Sequence, residues 1–348
     1  IQDAADNNFA TTMTGGDLGS VVVDGDTPDI TGCAATAGTY GIGDAIDITC
    51  TFDQAVDVTG TPQITLSNSK VVGYTSGTGS ANLVFRYTVS EGDTDSAALD
   101  VSSIAANGGT IQDAADNDFD TTMAGGDLGS VVVDGDTPDI TGCAATAGTY
   151  GIGDAIDITC TFDSAVDVTG TPQITLSNSA VVGYTSGTGS ADLLFRYTVV
   201  EDQTDSAALD VSSIAANGGS IQDAADNDFS TTMAGGDLGA VVVDADTPDI
   251  TGCAATAGTY KIGDSFDITC TFDSAVDVTG TPQITLSNSQ AVDYASGTGS
   301  ANLVFSYTVA SGHTDSAALD VSSIAANGGT IQDAADNNFA TTMTGGDL

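Results

Sequence analysis

An all-β fold of tandem β-sandwich modules is predicted by three observations: a strict internal period of 110 residues, short alternating apolar runs between turn residues, and an acid content that is almost entirely aspartate. The period is read from IQDAADN at residues 1, 111, 221 and 331 and from DTPDITGCAATAGTY at 26, 136 and 246. Residues 1–110 and 111–220 differ at 11 positions, among them Asn8/Asp118, Lys70/Ala180 and Ser90/Val200. Such near-identity implies one structural duty for every copy, and a period this long matches a complete sandwich domain rather than a small solenoid unit. With 348 residues and 41% apolar composition, the chain has enough material for real cores.

In the first full copy the alternation predicts strands at 30–37, 45–52, 61–66, 71–75 and 81–89, then around 101–111 and 130–133. In the second of these Ile46, Ile48, Cys50 and Phe52 alternate with Asp47, Thr49 and Thr51, so one face is core and the other wet. The fifth repeats the scheme with Leu83, Phe85, Tyr87 and Val89 inward and Arg86 outward. Pro28 and Pro62 stand where a strand can begin without losing a ladder bond. Seven strands in about 100 residues is the immunoglobulin-like count. The modules are then 27–136, 137–246 and 247–348, joined by the few residues of VVVDGDTPDI into an extended rod or filament.

This division leaves residues 1–26 as the end of a preceding module, carrying its last strand Val21, Val22 and Val23, while the third module stops at Leu348 before its own VVV strand. A sandwich without its final strand exposes an open edge. The two ends are complementary, so a following chain or a covalent continuation is expected to complete it. Residues 1–18 and 331–348 are identical, whereas the two intervening copies read IQDAADNDFDTTMAGGDL and IQDAADNDFSTTMAGGDL. That pattern is expected of a longer array or of a head-to-tail polymer.

The charge is one-sided: 48 acids, all Asp except Glu91 and Glu201, face only Lys70, Arg86, Arg196 and Lys261. Nucleic acid and anionic membrane surfaces both need a basic patch and are therefore poor partners, so no nucleic acid partner and no membrane insertion are expected. No stretch approaches the ~20 apolar residues of a membrane helix. Aspartate favours turns, so the charge concentrates in loops that salt or a divalent cation would screen.

Six cysteines form one pair per copy: Cys33 and Cys50, Cys143 and Cys160, Cys253 and Cys270. A tight hairpin at Tyr40-Gly41-Ile42-Gly43 sets Cys33 opposite Cys50, Ala35 opposite Ile48 and Ala37 opposite Ile46. An intramodule disulfide follows, implying an oxidising compartment and about 3 kcal/mol of stabilisation per module. Metal thiolates and free buried thiols are the alternatives, and zinc is disfavoured with no histidine nearby.

The second cluster is aspartate at the module junctions: Asp24, Asp26 and Asp29 with their copies Asp134, Asp136, Asp139, Asp244, Asp246 and Asp249. The IQDAADN loops add Asp3, Asp6, Asp113, Asp116, Asp223 and Asp226. Calcium takes six to eight oxygens from such groups, which makes these the candidate calcium ligands. No EF-hand loop is present, and solvated turn aspartates are the competing reading. His313, the single histidine, replaces Asp93 and Gln203 and reads as a solvated turn residue. With one histidine there is no catalytic triad to repeat, and no G-x-S-x-G or phosphate loop occurs, so no enzyme is expected.

The succession Y-x-I-G-D-x-x-D-I-T-x-T-F, G-T-P-Q-I-T-L, Y-x-S-G-T-G-S, L-V-F-x-Y-T-V, A-A-N-G-G-T-I-Q-D-A-A-D-N and V-V-V-D-x-D-T-P resembles the tandem immunoglobulin-like repeats of giant bacterial surface proteins and adhesins, over the whole of each repeat. The resemblance implies an extracellular, often calcium-stiffened stalk, fibre or biofilm adhesin. The cysteines depart from it, since many such repeats have none. The expectation is a structural filament or stalk whose partners are copies of itself. The alternative is a cell-surface adhesin gripping polysaccharide or another cell. The absence of Trp and the scarcity of aromatics outside the predicted core speak against the adhesin, and hydroxyl-linked surface glycans stay open.

Overall fold

The computed structural model describes residues 4–6, 16–230, 232–339, 343 and 348. The described residues hold no helix and build three similar seven-stranded sheets, with a further two-stranded pair in each of the first two repeats. The chain divides into two compact units, Ile1–Asp136 and Thr137–Leu348.

In the first unit the strands are β1 (Ile30–Ala34), β2 (Gly38–Tyr40), β3 (Ala45–Thr59), β4 (Gln63–Leu66), β5 (Val71–Ser76), β6 (Ser80–Thr88), β7 (Val101–Ala105), β8 (Thr110–Gln112) and β9 (Val131–Val133). Their order is β1-β3-β6-β5-β4-β7, with β8 paired to the far end of β3. Strand β5 links the two halves: Val71–Gly73 pairs with β4, Tyr74 and Ser76 pair with β6, and the register shifts between those last two residues. An irregularity of this kind lets one strand turn from one neighbour to another. The final strand β9 lies parallel to β2 and also bridges Ser96, and Leu99 N donates to Val131 O at 2.8 Å.

The period-2 alternation decides which side chains enter the core. Ile46, Ile48, Cys50 and Phe52 on β3 and Leu83, Phe85, Tyr87 and Val89 at β6 are buried, while Asp47 and Arg86 face outward. Arg86 there grips Asp47 in a two-pronged pair, Nε to Oδ1 at 2.7 Å and a terminal nitrogen to Oδ2 at 2.6 Å, and Arg196 does the same to Asp157. Phe52 meets Phe119 edge-on at 5.3 Å, which brings the loop after β8 onto the core. Each such inward side chain stabilises the fold by about 1.5–3 kcal/mol relative to exposure.

Three elements differ from the sequence-based expectation. The first strand ends at Ala34, and Gly38–Tyr40 leaves it to pair with β9, so Ala37 has no place opposite Ile46 in the ladder. The valine strand competes successfully for that backbone because it buries Val131 and Val133 at the same time. The second strand runs on to Thr59, its register with β6 shifting between Thr51 and Val56 so that its far end can hold β8. The stretch 101–111 is broken at Asn107, whose φ of 50° turns the chain away from β4 toward β3.

The cysteine register is formed as the hairpin arithmetic requires. Cys33 pairs across the ladder with Cys50, and all three cysteine pairs are disulfides within their own repeats. Replacing both Cys143 and Cys160 by Ala is expected to cost about 2–4 kcal/mol in urea unfolding. An unchanged midpoint would show that the ladder alone holds β1 against β3.

Candidate functional site at the repeat junction

Two places in the molecule are built from the same few segments: the junction between consecutive repeats and the slot that receives the VVV strand. In the first repeat the slot is formed by Gly38–Tyr40 on one side and the Ser96–Leu99 backbone on the other. Val131 and Val133 are 0% and 1% exposed in it. Just past the strand, Asp134 N donates to Tyr40 O at 3.0 Å, Gly135 N to the Asp95 carboxylate at 2.8 Å, and Gly92 N to Gly135 O at 2.9 Å. The second repeat has the same seat: Val241–Val243 pairs in parallel with Gly148–Tyr150, Asp244 N donates to Tyr150 O, and Ala245 N donates to the Asp205 carboxylate at 2.7 Å.

In the third repeat the corresponding walls enclose a groove of 1140 Å³ lined by Tyr260, Phe266, Tyr307, Val309, Leu319 and Leu348 among others. Gly258–Tyr260 belongs to no strand here. Tyr260 instead stacks on Phe266 with ring centroids 4.2 Å apart. At the opposite end of the chain Val21, Val22 and Val23 form no ladder and are 65%, 85% and 89% exposed.

The junction between the second and third repeats lies within the unit Thr137–Leu348 and is made by one asparagine. Asn337 Nδ2 donates to Asp244 O at 3.1 Å, and its Oδ1 accepts from Ile152 N at 2.6 Å. It is itself held by Asp333, whose Oδ1 accepts from the Ala335 and Asn337 amides and whose Oδ2 accepts from Asn337 Nδ2. Gly151 is required at this contact, because a Cβ there would stand 2.2 Å from Ala335 O and 2.6 Å from Asn337 Oδ1. Asn337 is buried, whereas its copy Asn117, whose Nδ2 reaches Asp26 O, is half-buried and flanked by the exposed Ala115.

The predicted calcium ligands are placed as follows. Asp3 lies outside the described residues. Asp113 and Asp223 are buried, each accepting two backbone amides and one asparagine side chain of its own loop, and Asp113 also accepts from Gln54 Nε2. The Asn117 side chain and then the loop amides hold the Asp113 carboxyl below the usual carboxylate range. Asp6, Asp116 and Asp226 occupy the left-handed position of the same loop, at φ 58°, 66° and 62°. Asp24, Asp134 and Asp244 accept the amides of Asp26, Asp136 and Asp246. The amides of Asp29, Asp139 and Asp249 donate to Asp53, Asp163 and Asp273. Among the described residues no group of three or more His, Cys, Asp or Glu side chains is arranged to hold a metal ion. The carboxylates of Asp24, Asp113, Asp134, Asp223 and Asp244 accept amides of their own turns.

The acids at this junction nonetheless repel one another. Burial, then the charges of Asp333, Asp205 and Asp246, push the Asp244 carboxyl above its ordinary range, and burial with Asp205, Asp202, Asp273 and Asp249 does the same for Asp246. His313 is a turn residue that braces its own loop, since Nδ1 meets the Tyr307 hydroxyl at 2.8 Å and accepts the Ala310 amide at 3.2 Å. Asp93 and Gln203 brace the same turn in the other repeats, accepting from Tyr87 and Tyr197. Burial, then the hydrogen bond with Asp93, pushes the Tyr87 hydroxyl up to about 12.

No protein-family model matches this chain, and no characterised protein matches its sequence.

Two outcomes are expected here. Asn337→Ala, which leaves the Ile152 amide and Asp244 carbonyl without their partner, costs about 1–3 kcal/mol in the Thr137–Leu348 unit, read by urea unfolding; no loss would deny the asparagine its junction role. For Asp244 and Asp246 the folded-state pKa values are raised, so their ionisation opposes folding as pH rises through and above the carboxylate range. Asp244→Asn with Asp246→Asn is therefore expected to raise Tm at pH 7 by about 1–2 °C. The gain should vanish at pH ~3, where both carboxyls are protonated in either state. An equal gain at both pH values would assign it to something other than charge.

Proposed function

We propose that this protein is a structural, extracellular filament or stalk protein built of immunoglobulin-like modules, in which the third module is completed by the VVV strand of a following copy of the chain. The observation that carries the reading is the match between the groove of the third repeat and the strand seated at the same place in the other two. In the first repeat the final strand pairs in parallel with the entering strand and is bridged to the segment before β7, which supports a sandwich closed by its last strand. The exposed Val21–Val23 segment has the same sequence as the strands seated in the first two repeats.

The magnitudes fit an assembly contact. Burying Val21 and Val23 as Val131 and Val133 are buried gains about 1.5–3 kcal/mol each. Each new backbone hydrogen bond adds about 0.5–1.5 kcal/mol net. Association costs roughly 4–15 kcal/mol in lost freedom, so the strand alone gives at most a modest affinity and the surfaces around it must contribute. Repetition of one module along the chain suits a load-bearing shaft, and the reading assigns it no catalytic role. The disulfide in each repeat supports an oxidising, extracellular location. Calcium enters only as a counter-ion that screens the junction carboxylates. On that basis calcium at about 5 mM raises Tm at low ionic strength and loses its effect in high salt, whereas a dedicated site would keep it.

The reading is tested by sedimentation of the full chain. Wild-type protein is expected to sediment as species larger than its 34.4 kDa, in proportion to concentration. Val21→Asp, which puts a charge in the apolar slot, is expected to leave it monomeric. Equal association of both would remove the strand from the contact.

A further inference from the structure

We propose that the end of the third repeat carries a charge-matched seat for the acidic strand of a second copy of this chain, and that Lys261 is its positioning cation. The inference rests on the strand-exchange reading above and adds a recognition element to it.

The three repeats are near-copies, so the places where the third departs from the others can be read one by one. Lys261 stands where the first two repeats have Gly41 and Gly151. The structure shows what the glycine does: at Gly151 the direction of a side chain is filled by the Ala335 carbonyl and the Asn337 side chain of the repeat that follows. A loop of that kind cannot close onto Lys261 in the same way. A following module must meet the third repeat through a lysine side chain instead of a bare backbone.

Of the four basic residues, Lys70 pairs with Asp93, Arg86 with Asp47 and Arg196 with Asp157. Among the described residues Lys261 makes no ion pair, in a chain of net charge −44. Its neighbour Ile262 is 67% exposed where Ile152 is 36% exposed. Lys261 thus presents an uncompensated cation beside the groove it helps to line.

The occupant follows from charge and register. In the first repeat the residue after VVV is Asp134, whose amide donates to Tyr40, the residue immediately before Gly41. A second copy's Val21–Val23, seated in the same register, brings Asp24 against Tyr260 and Lys261. The side chain of Lys261 then points toward that copy's Asp113–Asn117 loop, as the bare face of Gly151 points toward Ala335 and Asn337.

The remainder of the seat has changed in the same sense. The loop that cradles the residues after VVV reads SEGDTD in the first repeat and VEDQTD in the second, but ASGHTD in the third. Glu91 and Asp93, or Glu201 and Asp202, have given way to Ser311 and His313 or to a glycine, Gly312. What receives the strand is kept: Tyr260, Gly312 and Asp315 stand where Tyr40, Gly92 and Asp95 make the backbone contacts. Within a repeat the acidic strand is tethered and its repulsion is tolerated, as the raised carboxyls of Asp244 and Asp246 record. A strand arriving from solution has no tether, and removing like charge while adding one cation favours its capture and speeds encounter.

The experiment uses the full chain in sedimentation velocity at low and high salt, with the fold of each variant checked by circular dichroism. Lys261→Glu is expected to weaken association at low ionic strength by about tenfold or more, with the difference shrinking in salt of about 0.5 M, and Lys261→Gln by severalfold. Lys261→Glu combined with Asp24→Lys should recover most of the loss. If Lys261→Glu and Lys261→Gln associate as tightly as wild type while Val21→Asp does not, the charged seat is wrong and strand exchange stands. If Val21→Asp also associates, or if wild type stays monomeric at every concentration, strand exchange fails and the inference fails with it.

Discussion

Closure of the first two repeats depends on one short strand buried between two others. Val131–Val133 pairs in parallel with Gly38–Tyr40, reached soon after the repeat begins, and bridges Ser96 on its other side. The last residues of a repeat therefore complete a core that its first residues opened, and nearly all other contacts are made before that happens. Ile48, Leu83 and Phe85 and their third-repeat copies Ile268, Leu303 and Phe305 are all buried, whereas Val89 and Leu99 are buried under the valine strand and their copies Val309 and Leu319 are only half-buried without it. The strand that covers this part of the core is thus the last one the repeat contributes, and it is this strand that the proposed exchange between copies would use.

The same closing strand leads directly into the next repeat, so the junction inherits its charge. Asp244 lies between Tyr150, which accepts its amide, and Asn337, which binds its carbonyl. The Asp333 carboxylate organises Asn337, and burial, then the charges of neighbouring acids, raises the Asp244 and Asp246 carboxyls. Glycine at 151 makes the contact possible by letting the loop of the following repeat approach the backbone. Lys261 stands at the position that Gly151 occupies in the second repeat.

Much of the fold was legible in the sequence for physical reasons. Strict alternation on 45–52 and 81–89 follows from the two-sided pleat, and the Cys33–Cys50 register follows from strand geometry even though the connection is not a tight hairpin. What was hidden concerns competition between partners. Nothing local marks Gly38–Tyr40 as belonging to a strand more than ninety residues later, nor the far end of Ala45–Thr59 as the partner of Thr110–Gln112. Carboxylates in turns and carboxylates on calcium share one composition, so the sequence alone does not separate them; that Asp113 accepts the amides of its own loop is seen only in the structure. Lys261 was countable as a rare cation, and lining up the copies would have exposed it. The meaning of the glycine it replaces needed the Ala335 carbonyl.

A cysteine cross-link across the exchanged pair puts strand exchange to a direct trial. Thr39 stands opposite Val132 and Thr149 opposite Val242 in the parallel ladders, so strand exchange places Val22 of one copy opposite Thr259 of another. A full chain carrying Val22→Cys and Thr259→Cys, oxidised at assembling concentration and run on a non-reducing gel, should give a ladder in multiples of 34.4 kDa that collapses on reduction. Each single variant should give no ladder beyond a dimer. A double variant that remains a single monomeric band under these conditions would rule out exchange of the valine strand between copies.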